Sequence, residues 1–425
     1  MPTIRRLSAL EILDSRGRPT VRATCELKGG AIGTVSVPSG ASTGRAEAVE
    51  LRDGIPARYG GLGCRRAVGH VAGSIQTALG GETFADQAAL DGALVALDGT
   101  PDKSRLGANA LLAVSLAFAR AVAAERGLPL YRSLADDAGT RPGALPRPTI
   151  NLFSGGKHAG GQIPIQDVLV VPTAATVDEV LATTYAVYQA AAEGIATRYG
   201  ARALVADEGG LAPPFPDAGA MLDEAVAAIE AAGFVPGRDV VLAVDVAASH
   251  FFANGRYALD PAREPLTGDA MVETLLGWLD RYPIASIEDG LAEDDWATWP
   301  TLRRRVDGRA LILGDDLLAT NPARIRRAVE TGAADALLLK PNQIGTLTEA
   351  AEARALANAA GWRTIVSARS GETEDDWLAD LAVGWGGDGL KVGSITRSER
   401  LAKWNRLLAI EAETGWPVVD WPAPR

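Results

Sequence analysis

The sequence predicts an α/β protein, with a small N-terminal α+β domain before a barrel of strands and helices that has an irregular ββαα start. Two observations carry this. Six short apolar runs in the second half each stop at a charged or polar residue. Residues 240–244 stop at Asp245, 284–287 at Glu288, 311–313 before Asp315, 336–339 at Lys340, 364–366 before Ser367 and Arg369, and Leu390 at Lys391. From Glu288 onward the stops recur at intervals of one strand, one helix and their loops. Parallel strands buried on both faces read as such runs. A closed ring of them sets reactive groups at the carboxyl ends of the strands. Residues 3–37 instead alternate apolar and polar, the pattern of half-buried antiparallel strands.

From the N-terminus, Val21, Ala23, Cys25 and Leu27 share one face. Val35 and Val37 follow a Lys28-Gly29-Gly30 turn, so the segment reads as a hairpin. The loop 38–44 is rich in Ser and Gly. A helix is expected over 108–126, stopped by Gly127 and Pro129. The proline-rich stretch 141–148 has neither helical nor strand period, which divides the chain into units 1–140 and 141–425. Residues 149–153 and 166–171 read as adjacent strands. A helix over about 177–199, a glycine-rich loop and a helix over about 218–232 precede the regular alternation.

The chain has 425 residues, 47% hydrophobic and 22% charged, with net charge −11 and no basic stripe. That suits two full cores and argues against nucleic acid as the main partner. Cys25 and Cys64 are the two cysteines, and reduced thiols are the simpler reading. The start, MPTIRRLSAL, has no apolar signal region. No uninterrupted apolar run is long enough for a membrane. The expectation is a cytoplasmic protein without a membrane partner.

Asp245, Glu288 and Asp315 each close a strand. Converging carboxylates need a cation, and oxygen-only ligands favour a hard ion such as Mg2+. For any one of the three, a helix cap is the better reading; for three in succession it is not. Lys340 ends a strongly apolar run, so burial and a nearby dication should lower its pKa toward that of a working base. Lys391, one unit on, suits a second cation or a substrate clamp. Arg369, between Ala368 and Ser370-Gly371, suits a phosphate or carboxylate. Glu208, before Gly209-Gly210, could reach a site as a general acid. His158 lies in the glycine-rich loop 155–161, which could close on a ligand. Each of these last two signals is weak alone, and His70 and His250 read as structural. There is no dinucleotide fingerprint, Walker loop or serine elbow.

Taken together, these segments resemble enolase over nearly the whole chain. The similarity is carried by 14–20 (DSRGRPT), 38–44, 155–161, Asp207-Glu208-Gly209-Gly210, Ser286-Ile287-Glu288-Asp289 and Asp315-Asp316. It continues in Lys340-Pro341-Asn342-Gln343-Ile344-Gly345, 370–375 (SGETED) and 397–403 (RSERLAK). The resemblance implies an enolase-type (β/α)8 barrel, with Asp245, Glu288 and Asp315 holding one Mg2+. It implies that Ser39 helps hold a second with the substrate's phosphate. Lys340 would take the proton next to the carboxylate, and Lys391 would help stabilise the enediolate. Glu208 would protonate the leaving hydroxyl, Arg369 and Ser370 would grip the phosphate, and His158 would close over it. A homodimer or larger homo-oligomer is implied by resemblance only.

Five departures lie beside these groups. The family has His at Ala368, Glu at Asp167 (beside Gln166), Asn at Ser154, Gly at Ala206 and an aliphatic residue at Pro341. Losing an imidazole at 368 opens space beside Arg369, and the shorter Asp167 redraws the carboxylate network. The expectation is therefore a retained Mg2+-dependent dehydration on 2-phosphoglycerate or, better, a phosphorus-modified analogue. The enolase-like branch of phosphinothricin-type antibiotic pathways, which makes carboxyphosphonoenolpyruvate, fits that description. The alternatives are an ordinary glycolytic enolase or a weakly active relative kept for binding.

Overall fold

The computed structural model of the chain describes residues 1–41, 44–200, 204–260 and 262–421. Ser42 and Thr43 of the 38–44 loop thus lie outside the described residues. Strands β1 (Ile4–Leu13), β2 (Pro19–Leu27) and β3 (Ile32–Ser36) form an antiparallel sheet in that order. The expected hairpin is β2–β3, with Cys25 opposite Gly33. Val21, Ala23, Cys25 and Leu27 are fully buried, and the sheet packs on the helix Ala108–Arg126. A Cβ on Gly33 would stand 2.1 Å from the Ala117 carbonyl, so the bare glycine sets how closely sheet and helix approach. This helix is long and apolar enough to cross a membrane, yet most of it is buried inside the protein, where its hydropathy serves the core.

The helix Leu130–Ala138 leads into β4 (Arg147–Ser154) and β5 (Asp167–Pro172). Helices Val177–Tyr199 and Ala218–Ala231 both come before β6 (Val240–Asp245). A small ribbon, β7 (Phe252–Ala253) with β8 (Arg256–Tyr257), follows. Next come β9 (Ile284–Glu288), β10 (Leu311–Gly314), β11 (Ala336–Leu339), β12 (Arg363–Ser367) and β13 (Gly389–Gly393). Eight of these close into a barrel, ordered β4-β5-β6-β9-β10-β11-β12-β13. The irregular ββαα start is therefore present. β5 runs antiparallel to both neighbours, and every other pair is parallel. Reversal brings the first residue of β5, Asp167, to the rim where the other strands end. It pairs with Ser154 and Asp245.

The period of two along each strand divides the apolar residues between two cores. Leu169, Val171, Val241, Ala243, Leu313, Ala336, Leu338 and Ile365 fill the barrel interior with Trp421. Leu242, Val244, Ile312, Leu337, Leu339 and Val366 face outward to the helices. The inward parity continues one step past the interior core: 241 and 243 lead to Asp245, 311 and 313 to Asp315, 336 and 338 to Lys340, and 171 and 169 back to Asp167. For these four, hydrophobic burial of the lower layers fixes where the charged side chain stands; Glu288 departs from the rule, since Ala285 is the interior residue of β9 and its parity leads to Ile287.

Candidate active site

These strand ends meet around one cavity. It is lined by Ala41, His158, Gln166, Glu208, Asp245, Lys340, Ser367, Ala368, Arg369, Ser370 and Lys391. The structure thus brings together residues far apart in sequence. Lys391 Nζ donates to Asp245 Oδ2 (2.9 Å) and Glu288 Oε2 (2.7 Å). Lys340 Nζ donates to Asp315 Oδ2, and Gln343 Nε2 donates to Asp315 Oδ1 (2.8 Å). Gln166 Nε2 reaches Asp245 Oδ2 at 3.2 Å.

The three carboxylates do not converge on one point: the two ammonium groups sit against them. Burial pushes the Glu288 carboxyl well up, and Asp245 adds to that. Its Oε1 is buried without a hydrogen-bond partner. Asp245 would also rise on burial, but Lys391 outweighs this and holds it down at about 2. A buried all-oxygen donor set with an orphaned carboxylate oxygen is short of positive charge, and it fits a hard dication such as Mg2+. A tighter acidic cluster stands beside it, formed by Asp289, Asp315 and Asp316. Asp289, at φ 41°, accepts from the amides of Asp315 (3.0 Å) and Asp316 (2.7 Å).

A second group lies across β4 and β5. His158 Nδ1 stands 2.8 Å from Asp167 Oδ2, and its Nε2 is 3.6 Å from Glu208 Oε1. Ser154 Oγ donates to Asp167 Oδ1 (2.5 Å), and Asn151 Nδ2 to Glu208 Oε2 (3.1 Å). Burial alone would lower the His158 pKa, but Glu208 and Asp167 overcome it and raise it to about 9. Burial favours the acid form of Glu208, yet His158, Arg400, Lys391 and Lys340 together bring its pKa below the ordinary value. At neutral pH the proton of this group therefore rests toward His158 rather than on Glu208. The loop geometry depends on glycine: a Cβ on Gly210 would lie 2.5 Å from Ser154 Oγ, and one on Gly209, at φ 88°, 2.5 Å from Thr396 Oγ1.

Arg369 and Ser370 follow β12. Arg400, fully buried, donates to the carbonyls of Arg369 (2.6 Å) and Ser370 (2.5 Å). Lys403 Nζ, also buried, stands 2.9 Å from Glu372 Oε2. These two long cations, from the 397–403 motif, pin the loop that carries the site. Arg369 itself makes a bidentate pair with Glu47 (2.9 and 3.2 Å) and donates to Asn342 Oδ1 (3.1 Å). Ala368, buried, donates its amide to the Lys391 carbonyl (2.8 Å), so its methyl stands in the cavity wall.

The expected fall of Lys340 joined burial to a nearby dication, and among the protein's own groups the balance runs the other way. Burial lowers its pKa, but Asp315 and Glu288 outweigh burial and the net direction is upward. The hydroxyl of Ser39, the residue that the resemblance assigns to a second Mg2+, is engaged by its neighbours. It accepts from Arg52 Nη2 (2.6 Å) and donates to Glu50 Oε2 (3.2 Å), while the Ser39 backbone pairs with Gly371. Of the two histidines read as structural, His70 contacts Ser74. His250 lies close enough to the site to feel the charges of Asp245, Asp315 and His158, and burial pushes it down to about 4. Sequence reasoning missed Glu47, Asn151 and the reach of Gln343. Asp289 and Asp316 had a readable signal, since each doubles an acid at a strand end.

The barrel and its ring of acids and amines place this chain among (β/α)8-type barrels that carry polar and charged groups at the carboxyl ends of the strands. Family models for the enolase N-terminal domain and the enolase C-terminal TIM barrel domain match residues 4–134 and 142–419, and the chain belongs to the enolase family.

Proposed function

We propose that this protein is a Mg2+-dependent hydro-lyase that dehydrates 2-phosphoglycerate or, as its pocket favours, an analogue enlarged at phosphorus. The product is then of the phosphoenolpyruvate type, such as carboxyphosphonoenolpyruvate. One observation carries the reading: a candidate base, Lys340, and a candidate acid group, Glu208 with His158, line the same cavity as Arg369 and Ser370. Lys340 would take the proton from the carbon next to the substrate carboxylate. The His158–Glu208–Asp167 group would return a proton to the departing hydroxyl. Lys391 faces the negative charge that develops on the carboxylate. Asp245, Glu288 and Asp315 would hold Mg2+, which when bound neutralises carboxylate charge as a Lewis acid. Arg369 and Ser370 would bind the oxygens on phosphorus, and Gln166 helps fix Asp245.

The preference for a modified phosphorus rests on Ala368. A methyl group in the wall beside Arg369 is smaller than the imidazole the family carries there and offers a substituent no side-chain hydrogen bond. The test is turnover of 2-phosphoglycerate beside its carboxyphosphono analogue, followed by enol ultraviolet absorbance. The analogue should be preferred, and Ala368→His should shift the preference toward 2-phosphoglycerate. Fast turnover of plain 2-phosphoglycerate with slow turnover of the analogue would leave an ordinary enolase. No turnover of either would favour a binding role.

A further inference from the structure

We propose that Glu47 is a positioning residue that orients the Arg369 guanidinium and ties it to the backbone at Gly44. The inference rests on the reading of Arg369 as the group that binds the oxygens on phosphorus. Glu47 Oε2 accepts from Arg369 Nη1 at 2.9 Å and its Oε1 from Nη2 at 3.2 Å. Two parallel bonds fix the plane of a guanidinium where a single bond would let it turn. Both side chains are almost completely buried, at 3% and 7% exposure, so water does not replace either bond.

Glu47 Oε1 also accepts from the Gly44 amide at 2.9 Å. Gly44 ends the 38–44 segment, whose Ala41 lines the cavity. At its other end, Ser39 pairs with Gly371, which follows Ser370, through two backbone bonds of 2.8 and 3.0 Å. A Cβ on Gly371 would lie 2.1 Å from Asp14 Oδ2 and 2.7 Å from the Ser39 carbonyl, so that seam is close-packed. Both ends of the segment are therefore fastened to the 369–371 loop, one by backbone and one by the Glu47 carboxylate. Other contacts join the N-terminal unit to the barrel, such as Asp91 with Thr348 and Lys103 with Glu349. None of these residues lines the cavity, whereas the partner of Glu47 does. Simple fastening of the two units does not call for a carboxylate aimed at this arginine.

The experiment compares Glu47→Gln and Glu47→Ala with Asp91→Asn in Mg2+-loaded protein. Kinetics on the preferred substrate are measured together with calorimetric binding of inorganic phosphate. Misplacing Arg369 should raise KM about 100-fold with a smaller fall in kcat, and should weaken phosphate binding in parallel. Asp91→Asn should change neither. Added formate should lower the KM of Glu47→Ala, because a free carboxylate can re-seat the guanidinium, and should leave Asp91→Asn unaffected. Glu47→Gln keeps the volume of the side chain, so it serves if Glu47→Ala fails to fold. Unchanged KM and phosphate affinity in either folded Glu47 variant overturn the proposal, as does an equal formate effect on the Asp91 control. If the parent protein binds phosphate but turns over neither candidate, the functional reading fails while the phosphate comparison still decides the role of Glu47. A parent protein that binds no phosphate overturns both.

Discussion

Replacing Lys391 by methionine removes one buried charge at nearly constant volume. Its ammonium serves two acids at once, Asp245 and Glu288, at 2.9 and 2.7 Å. Asp245, held at about 2 mainly by that ammonium against its burial, is ionised at neutral pH. Removing one partner of a buried pair costs about 3–5 kcal/mol, because the other charge is left unpaired in a weakly solvating place. Glu288 softens the loss: its carboxyl is already pushed well up and can take a proton. For 425 residues the unfolding entropy is about 0.9 kcal/mol/K, so Tm should fall by about 3–6 °C. The assay is thermal unfolding of Lys391→Met and its parent in EDTA and across a Mg2+ titration. Mg2+ at 100 times its Kd stabilises by about 2.7 kcal/mol. In the parent the ion must share the acids with an ammonium, and in the variant it does not. The gap in Tm should therefore narrow as Mg2+ rises. Equal melting of the two proteins in EDTA, or a gap that Mg2+ leaves unchanged, would refute the argument that these acids are short of positive charge.

Lys340→Ala should abolish exchange of the proton on the substrate carbon next to the carboxylate, seen by NMR in deuterated buffer, while Mg2+ still raises Tm. Exchange at the parental rate would remove Lys340 as the base. His158 rises from an unfolded value of 6.5 to about 9 in the fold. A raised folded pKa means its stabilisation is complete below about pH 6.5 and lost as pH climbs through about 9. The stability advantage of the parent over His158→Gln should shrink by about 3 kcal/mol across that window in urea unfolding. An advantage that stays constant from pH 6 to 10 would mean His158 does not carry the proton of this group.

Much of the barrel was legible because burial on both faces forces apolar runs of strand length. Their punctuation by Asp245, Glu288, Asp315, Lys340 and Lys391 marks where each strand leaves the core. Parity within a strand then decides direction: Leu338 faces the interior, so Lys340 must stand above it. Such information is local, and a linear sequence holds it. Pairings between distant segments are another matter. Glu47 sits in an unremarkable polar stretch, and its partner is 322 positions away. The sense of a pKa shift is likewise non-local. Burial at the end of an apolar run lowers Lys340, but Asp315 and Glu288 come from other strands and turn the net direction upward.

Ser39 is a nearer case: its hydroxyl meets Arg52 and Glu50 in a segment without regular strand or helix, whose fold no period reveals. The residue order by itself therefore determined the architecture and which side chains reach the rim, because period and polarity act within a few positions. The tertiary structure alone decided who bonds to whom there and which group keeps the proton. Those depend on charges that meet only when the ring closes.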